Sequence, residues 1–303
     1  MNTGSLLENL QKRSLVTQQT RDFFISRGYL EVETPVRCPV VIPEAHIDPV
    51  MSEGHFLQAS PELCMKRLLA MGADKIFQLC KCFRKGERGD RHLPELTLLE
   101  WYGTGQTYLD LMDQCQGLLR HIASGLGKNQ SIFFQARTID LARPFERLTV
   151  ARAFEKFAPV CVDTALSSDR FDEILSNDIE PRLGLERPCF LYDYPAPLAS
   201  LARLHPDNNQ VAQRFELYIA GIELANGFTE LTDENVQRRR FAHENQIRSS
   251  QERSPLPMPE KFLSDLGKMP SAAGIALGMD RLAMLFCDTR SIDRVVAFPP
   301  EAL

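Results

Sequence analysis

The chain has 303 residues, 44% hydrophobic and 25% charged, with a formal net charge of −5. That length buries a sizeable core in one large domain or two small ones, and the acidic balance argues against a broad sequence-independent nucleic-acid surface, which needs a basic face, while leaving room for a local basic patch. No apolar run approaches the ~20 residues of a membrane span, no signal-peptide pattern opens the chain, and the eight cysteines form no CxxC pair, so reduced thiols in the cytoplasm are expected.

Residues 5–27 place Leu6, Leu10, Val16, Phe23 and Phe24 at mostly helical spacing, with Gly28 as the stop. Leu30 and Val32 then alternate with Glu31 and Glu33 in a short strand that Pro35 ends. Ser60-Pro61-Glu62 reads as a helix start: a capping hydroxyl, a proline tolerated in the first turn, and a carboxylate at the positive helix end. That helix runs to Gly72. Strands are expected at 75–84 and 95–102, joined by the polar loop 85–94. Thr107–Leu126 and Thr149–Phe157 read as helices, and 159–190 is mixed. A hairpin turns at Ala220-Gly221, and a charged helix over 233–253 is expected to present a solvated face. No repeat or flexible linker interrupts the chain, so one domain over 1–303 is expected.

Several side chains stand where they could do chemistry. Arg84 ends a strand and Arg91-His92 sit in the loop beyond, and guanidinium groups suit phosphate oxygens, although an isolated pair is more often a solvated hairpin loop. Glu100 and Tyr102 share one strand face, a plausible receptor for an ammonium group. Glu216 and Glu223 would lie on opposite faces of a straight strand, but the hairpin brings them onto neighbouring strands. Carboxylates that close repel unless a cation sits between them, and magnesium uses one or two carboxylates plus phosphates. Asn226, Phe228 and Glu230 alternate on one face while Glu223 falls on the other, so a bulge or twist near Gly227 is needed to unite them. The run Gly274–Arg281 is glycine-rich and then helical, which lets backbone approach a nucleotide closely.

FRKGERGDRHLPELTLLEWY (Phe83–Tyr102), RFELYIAGIELANGFTEL (Arg214–Leu231) and GIALGMDRLAML (Gly274–Leu285) follow in that order. Together they resemble the signature segments of class II aminoacyl-tRNA synthetases, the lysine enzymes above all. The opening helix, glycine, strand and Thr34-Pro35 are similar to the first class II motif, and VVAFP (Val295–Pro299) to the end of the catalytic domain. The resemblance implies an α+β fold with an antiparallel sheet flanked by helices, and a homodimer. The lysine enzymes carry an anticodon-binding domain ahead of the first motif, which here stands close to the start of the sequence, so a catalytic domain without that N-terminal domain is expected.

It also implies ATP and Mg2+ as the reaction's needs. In the family pattern Arg84 grips the α-phosphate, Arg91 and His92 lie near the outer phosphates, and Arg281 holds the γ-phosphate. Glu223, Leu224 and Gly278 complete the ATP site, with Glu216 and Glu223 as metal ligands. Ser60, Pro61 and Glu62 match the subsite for the amino acid's backbone amine. Glu100, Tyr102, Asn226 and Phe228 match the pocket wall, and Glu230 the partner of the side-chain ammonium. Three positions depart from the lysine enzymes: Gly86 stands for a glutamate, with Glu87 beside it, Leu96 for an adenine-stacking aromatic, and Ala276 for a glycine. Ala276, with LLEWY and GIELANGF, resembles the free-standing elongation factor P lysine ligases. Lysine or (R)-β-lysine, elongation factor P as acceptor, and no tRNA are what that subfamily implies. An RNA-charging ligase and an inactive amino-acid sensor are the alternatives.

Overall fold

The opening helix spans Thr3–Ile25 in the computed structural model, which describes residues 3–303. It stops because Gly28 takes φ +74°, letting the Tyr29 N–H reach the Phe24 carbonyl at 3.1 Å and the Gly28 N–H that of Ile25 at 3.1 Å. Val16, Phe23 and Phe24 are buried, whereas Leu6 and Leu10 are only half-buried. The helix lies on a nine-stranded sheet.

Six strands form the middle of that sheet, in the order Lys75–Phe83, Glu95–Thr104, Ala272–Gly278, Ile222–Thr229, Asn208–Ile219 and Cys189–Pro195. Each is antiparallel to its neighbours. Leu30–Glu31 joins one edge and Glu146–Thr149 the other, both in parallel. The expected antiparallel sheet is therefore antiparallel in its middle and parallel at its two edges. Leu204–His205 adds a short pairing to Asn208–Ile219. The fold is α+β.

Local chemistry sets the elements between. The Thr107 N–H donates to Asp110 Oδ2 at 2.8 Å, a capping box that starts Tyr108–Gly125. Thr149 caps Val150–Phe157 through its hydroxyl. Ala220 and Gly221 take φ +53° and +69°, the left-handed pair a two-residue hairpin turn demands. The mixed stretch resolves into the short helices Val162–Ser167 and Phe171–Ile174, which share a separate core with Phe154 and Tyr218.

Helices cover both faces of the sheet. Thr3–Ile25, Tyr108–Gly125 and Met279–Phe286 bury one face around Phe24, Phe77, Trp101 and Leu118, with the Phe24 and Phe77 rings stacked 5.0 Å apart. On the other face Glu62–Ala70, Glu234–Ser250 and Glu260–Leu266 pack around Leu63, Leu69, Phe241 and Phe262. They leave a stretch of the central strands open as the floor of a cleft. The eight cysteines are free thiols, and Cys80 and Cys82 share a strand face with their sulfurs 3.8 Å apart. Among the described residues no helix is long and apolar enough to cross a membrane.

Candidate active site

A cleft of about 1180 Å³ lies over the middle of the sheet. Alternation along Glu95–Thr104 turns Leu96, Leu98, Glu100 and Tyr102 toward it, while Leu99 and Trp101 enter the core. Register then lays the floor out in rows. Tyr102, Gly274, Phe228 and Arg214 form one row; Glu100, Ala276, Asn226 and Glu216 form the next; Leu98 and Gly278 begin the third. Gly274 has to be glycine, because a Cβ there would overlap the Tyr102 ring and Glu230 Oε1. The residue pattern had pointed to Gly274 only as part of a glycine-rich string.

The irregularity that unites the acidic hairpin is at Leu224 and not near Gly227. Tyr218 pairs with Glu223 and Leu217 with Ala225, so Leu224 is the extra residue of a β-bulge. One added residue reverses the facing of everything before it. Ile222, Ala225, Gly227 and Thr229 are buried, and Glu223, Asn226 and Phe228 all line the cleft. Two adjacent apolar residues, Leu224-Ala225, are the bulge's trace in the sequence.

One end of the cleft is crowded with carboxylates. Ser60 Oγ accepts from the Glu62 N–H at 3.1 Å and donates to Glu100 Oε1 at 2.6 Å. Pro61 sits outside the cleft lining and starts Glu62–Ala70, its carbonyl accepting from the Cys64 and Met65 N–H groups. Tyr102 donates to Glu100 Oε2 at 2.8 Å. Glu230 is wholly buried, and it is Lys66 of the chain itself that pairs with it, where the family resemblance implies the substrate's ammonium. Lys66 Nζ pairs with Glu62 and lies 2.5 Å from Glu230 Oε2, 5.0 Å from the centre of the Phe228 ring. One ammonium thus faces three carboxylates.

The protonation of this cluster follows from that imbalance. Burial, and next the Glu62 charge, push Glu100 up to about 8 against its bonds to Ser60 and Tyr102. Burial likewise pushes Glu230 up to about 8, with Lys66 opposing and Glu62 and Glu100 adding to the rise. For Lys66 burial works against the charged form, but the two carboxylates outweigh it and its pKa is raised. The pocket is short of positive charge.

Arginines occupy the other end. Arg84 Nε is buried without a hydrogen-bond partner among the described residues, and its guanidinium approaches Glu87 only to 3.9 Å. Gly86 takes φ +78°, which a glutamate at that position would adopt only with strain. Arg281 donates to the Glu223 carbonyl at 2.7 Å and to its Oε2 at 3.2 Å, and reaches His92 Nε2 at 2.6 Å. Burial, then the Arg281 charge, lower the His92 pKa, so the ring is neutral at pH 7 and accepts from Arg281. Arg91, also on the cleft wall, donates to the Gly221 carbonyl at 3.1 Å. Asp280 anchors the turn: Arg13 lies 2.6 Å from it, and its Oδ2 accepts from the Thr97 N–H at 2.7 Å.

The expected metal pair differs in detail. Glu216 and Glu223 are close enough that the Glu223 charge, after burial, raises the Glu216 pKa. Glu216 is nonetheless fully subscribed: Arg214 donates to Oε1 at 2.8 Å, and Tyr194 and Tyr218 to Oε2 at 2.5 and 2.6 Å. Glu223, half-buried and lining the cleft, fits a divalent ion bound chiefly through phosphates. Glu216 fits as the buried carboxylate behind it.

The charged helix is only partly the solvated face expected of it. Arg248 is 4% exposed and ties down the loop 44–48, donating to the Glu44 and Ile47 carbonyls at 3.1 Å each and to Asp48 Oδ1 at 2.9 Å. Glu244 Oε2 accepts from the Ala45 N–H at 2.8 Å.

Residues 1–302 match the family model described as tRNA synthetases class II (D, K and N). A protein of Proteus mirabilis named elongation factor P–(R)-beta-lysine ligase is 38% identical over 97% of this chain and 95% of its own length. Proteins of the same name from Salmonella typhi and Klebsiella pneumoniae are each 37% identical over 96% of this chain and 95% of theirs.

Proposed function

Because the chain belongs to the class II tRNA synthetase family (D, K and N), we propose that it is a ligase that activates lysine or (R)-β-lysine with ATP. The acyl group then passes to the ε-amine of a lysine of elongation factor P. The observation that carries this reading is the split character of one cleft: uncommitted guanidinium at one end, surplus carboxylate at the other.

The first half-reaction joins the amino acid's carboxylate to the α-phosphate of ATP and releases pyrophosphate. A carboxylate is already ionised at pH 7, so this step needs no base. Its barrier falls through positioning and charge neutralisation. Arg84, with its orphaned Nε, meets the α-phosphate. Arg281 would exchange Glu223 and His92 for the outer phosphates. Glu223, with Glu216 behind it, would hold the magnesium that accompanies ATP, which would supply further charge neutralisation at the phosphates. Leu224, at the bulge, and Gly278, where the sheet meets a helix, give the nucleotide an apolar and an open wall. Leu96 offers apolar contact to the base without aromatic stacking.

At the other end, Glu62 and Glu100 face the substrate's ammonium groups, with Tyr102, Asn226 and Phe228 around its chain. Glu230 acts through Lys66. Ala276 lies between Glu100 and Asn226, so its methyl group sets where the substrate backbone rests. The side chains of Leu7, Ile25 and Leu30 are 61, 57 and 62% exposed on the first helix and strand, which supports a homodimer formed there. The free thiols suit a reducing cytoplasm.

ATP–pyrophosphate exchange tests the activation step. Exchange stimulated by α- or β-lysine and by no neutral amino acid is expected. Equal stimulation by leucine or asparagine would overturn the assignment.

A further inference from the structure

The second half-reaction has a requirement that the residues so far described leave unmet. Near pH 7 a lysine ε-amine is an ammonium ion, and it attacks only after losing a proton. A base must stand where the acyl carbonyl is held, between the α-phosphate and the amino acid's amine. Most cleft carboxylates are committed elsewhere. Glu62 holds Lys66, Glu100 accepts from Ser60 and Tyr102, Glu223 pairs with Arg281, and Asp280 with Arg13.

Glu44 is different. It is half-buried, lines the cleft, and its carboxylate has no hydrogen bond or ion pair among the described residues. Its backbone is fixed by Arg248, by the neighbouring Ala45–Glu244 bond, and by the Lys85 N–H donating to the Asp48 carbonyl at 2.8 Å, next to Arg84. Arg84, Arg214, Glu62 and Glu244 are the charges that act on it, and all four line the same cleft, with His46 and His243 also on its wall. Arg84 marks the α-phosphate and Glu62 the substrate amine. The carbonyl under attack lies between those two markers, and Glu44 is within electrostatic reach of both.

We propose that Glu44 is the proton acceptor of the transfer step, which rests on the ligase reading above. One proton passes from the incoming ammonium to the Glu44 carboxylate. The freed nitrogen lone pair forms the new C–N bond at the acyl carbonyl. As the tetrahedral intermediate collapses, the C–O bond to phosphate breaks and AMP leaves with the bonding electrons. The second nitrogen proton goes to the departing phosphate or to water. Burial, with Arg84 opposing it and Glu62 adding to it, raises the Glu44 pKa to about 7, so the group is ionised and able to accept a proton from neutral pH upward.

The test compares wild type with Glu44→Gln and Glu44→Asp, using preformed lysyl-adenylate complex and three acceptors: elongation factor P, ethylamine and hydroxylamine. Hydroxylamine is neutral at pH 7 and needs no base. Transfer to elongation factor P and ethylamine by Glu44→Gln should fall about 100-fold or more at pH 7, with partial recovery in Glu44→Asp and hydroxamate formation within about threefold of wild type. The wild-type rate should level off above about pH 8, while the Gln variant keeps climbing with the acceptor amine's own ionisation. A Gln variant that transfers to ethylamine within threefold of wild type, with the same pH profile, overturns the proposal. So does an equal loss with all three acceptors, which would make Glu44 structural. Wild type that acylates ethylamine but not elongation factor P would overturn the acceptor assignment, with Glu44 still judged on the ethylamine rates.

Discussion

Replacing Lys66 with methionine isolates the charge imbalance at the floor of the amino-acid pocket. Lys66 is 2% exposed and is the only cation paired with Glu62 and Glu230 among the described residues. Methionine keeps most of its length and removes the charge. Breaking a buried ion pair from one side costs about 3–5 kcal/mol, because the abandoned charge remains buried. At roughly 2 °C per kcal/mol for a chain of this size, melting should fall by about 6–10 °C. The loss should depend on pH in a definite sense. Glu100 and Glu230 stand near 8 in the wild-type protein, and removing Lys66 raises Glu230 further. At about pH 6 both carry protons in wild type and variant alike, so the loss is smaller; it grows as pH rises through about 8, where Glu230 ionises beside Lys66 in wild type and stays protonated in the variant. Thermal unfolding by circular dichroism at the two pH values measures this, and added lysine should recover part of the loss. A melting temperature within 2 °C of wild type at the higher pH, or a larger loss at the lower pH, would refute the reasoning.

Three further outcomes follow from the same geometry. Arg84→Ala should reduce ATP–pyrophosphate exchange by about 10²- to 10³-fold, since it removes a preorganised donor from the reacting phosphate; near-normal exchange would exclude that role. A bound ammonium favours ionised Glu100 and Glu230, so binding should release protons at pH 7 and tighten as pH rises from about 6 to 8; calorimetry in buffers of different ionisation enthalpy reads the protons. Gly274→Ala should leave ATP binding intact and raise KM for the amino acid at least tenfold, because the added methyl collides with Tyr102 and Glu230; unchanged KM would mean that the floor is not the amino-acid subsite.

The elements whose causes are local were legible in the sequence. Gly28 and Ala220-Gly221 mark their stop and turn through neighbours a few residues away, and the structure puts them there. Strand alternation likewise gave the correct facing for Glu100 and Tyr102. What alternation could not give was register across strands. The bulge at Leu224 is fixed by pairing with Asn208–Ile219 on one side and Ala272–Gly278 on the other, so its position was misjudged by three residues. Lys66 was missed for a related reason. Its spacing from Glu62 suggests a surface helix pair, and only the docking of Glu230 against it makes the pair a buried one. Arg248 and Glu44 lie far apart in sequence and gain meaning only when the loop 44–48 folds onto the helix.

The most direct test of the central claim is to offer purified protein ATP, magnesium and either α- or (R)-β-lysine, with elongation factor P and tRNA supplied in parallel, and to weigh both acceptors by mass spectrometry. The account predicts the gain of one lysyl group on elongation factor P, with tRNA unchanged. Charged tRNA with unmodified elongation factor P would contradict it.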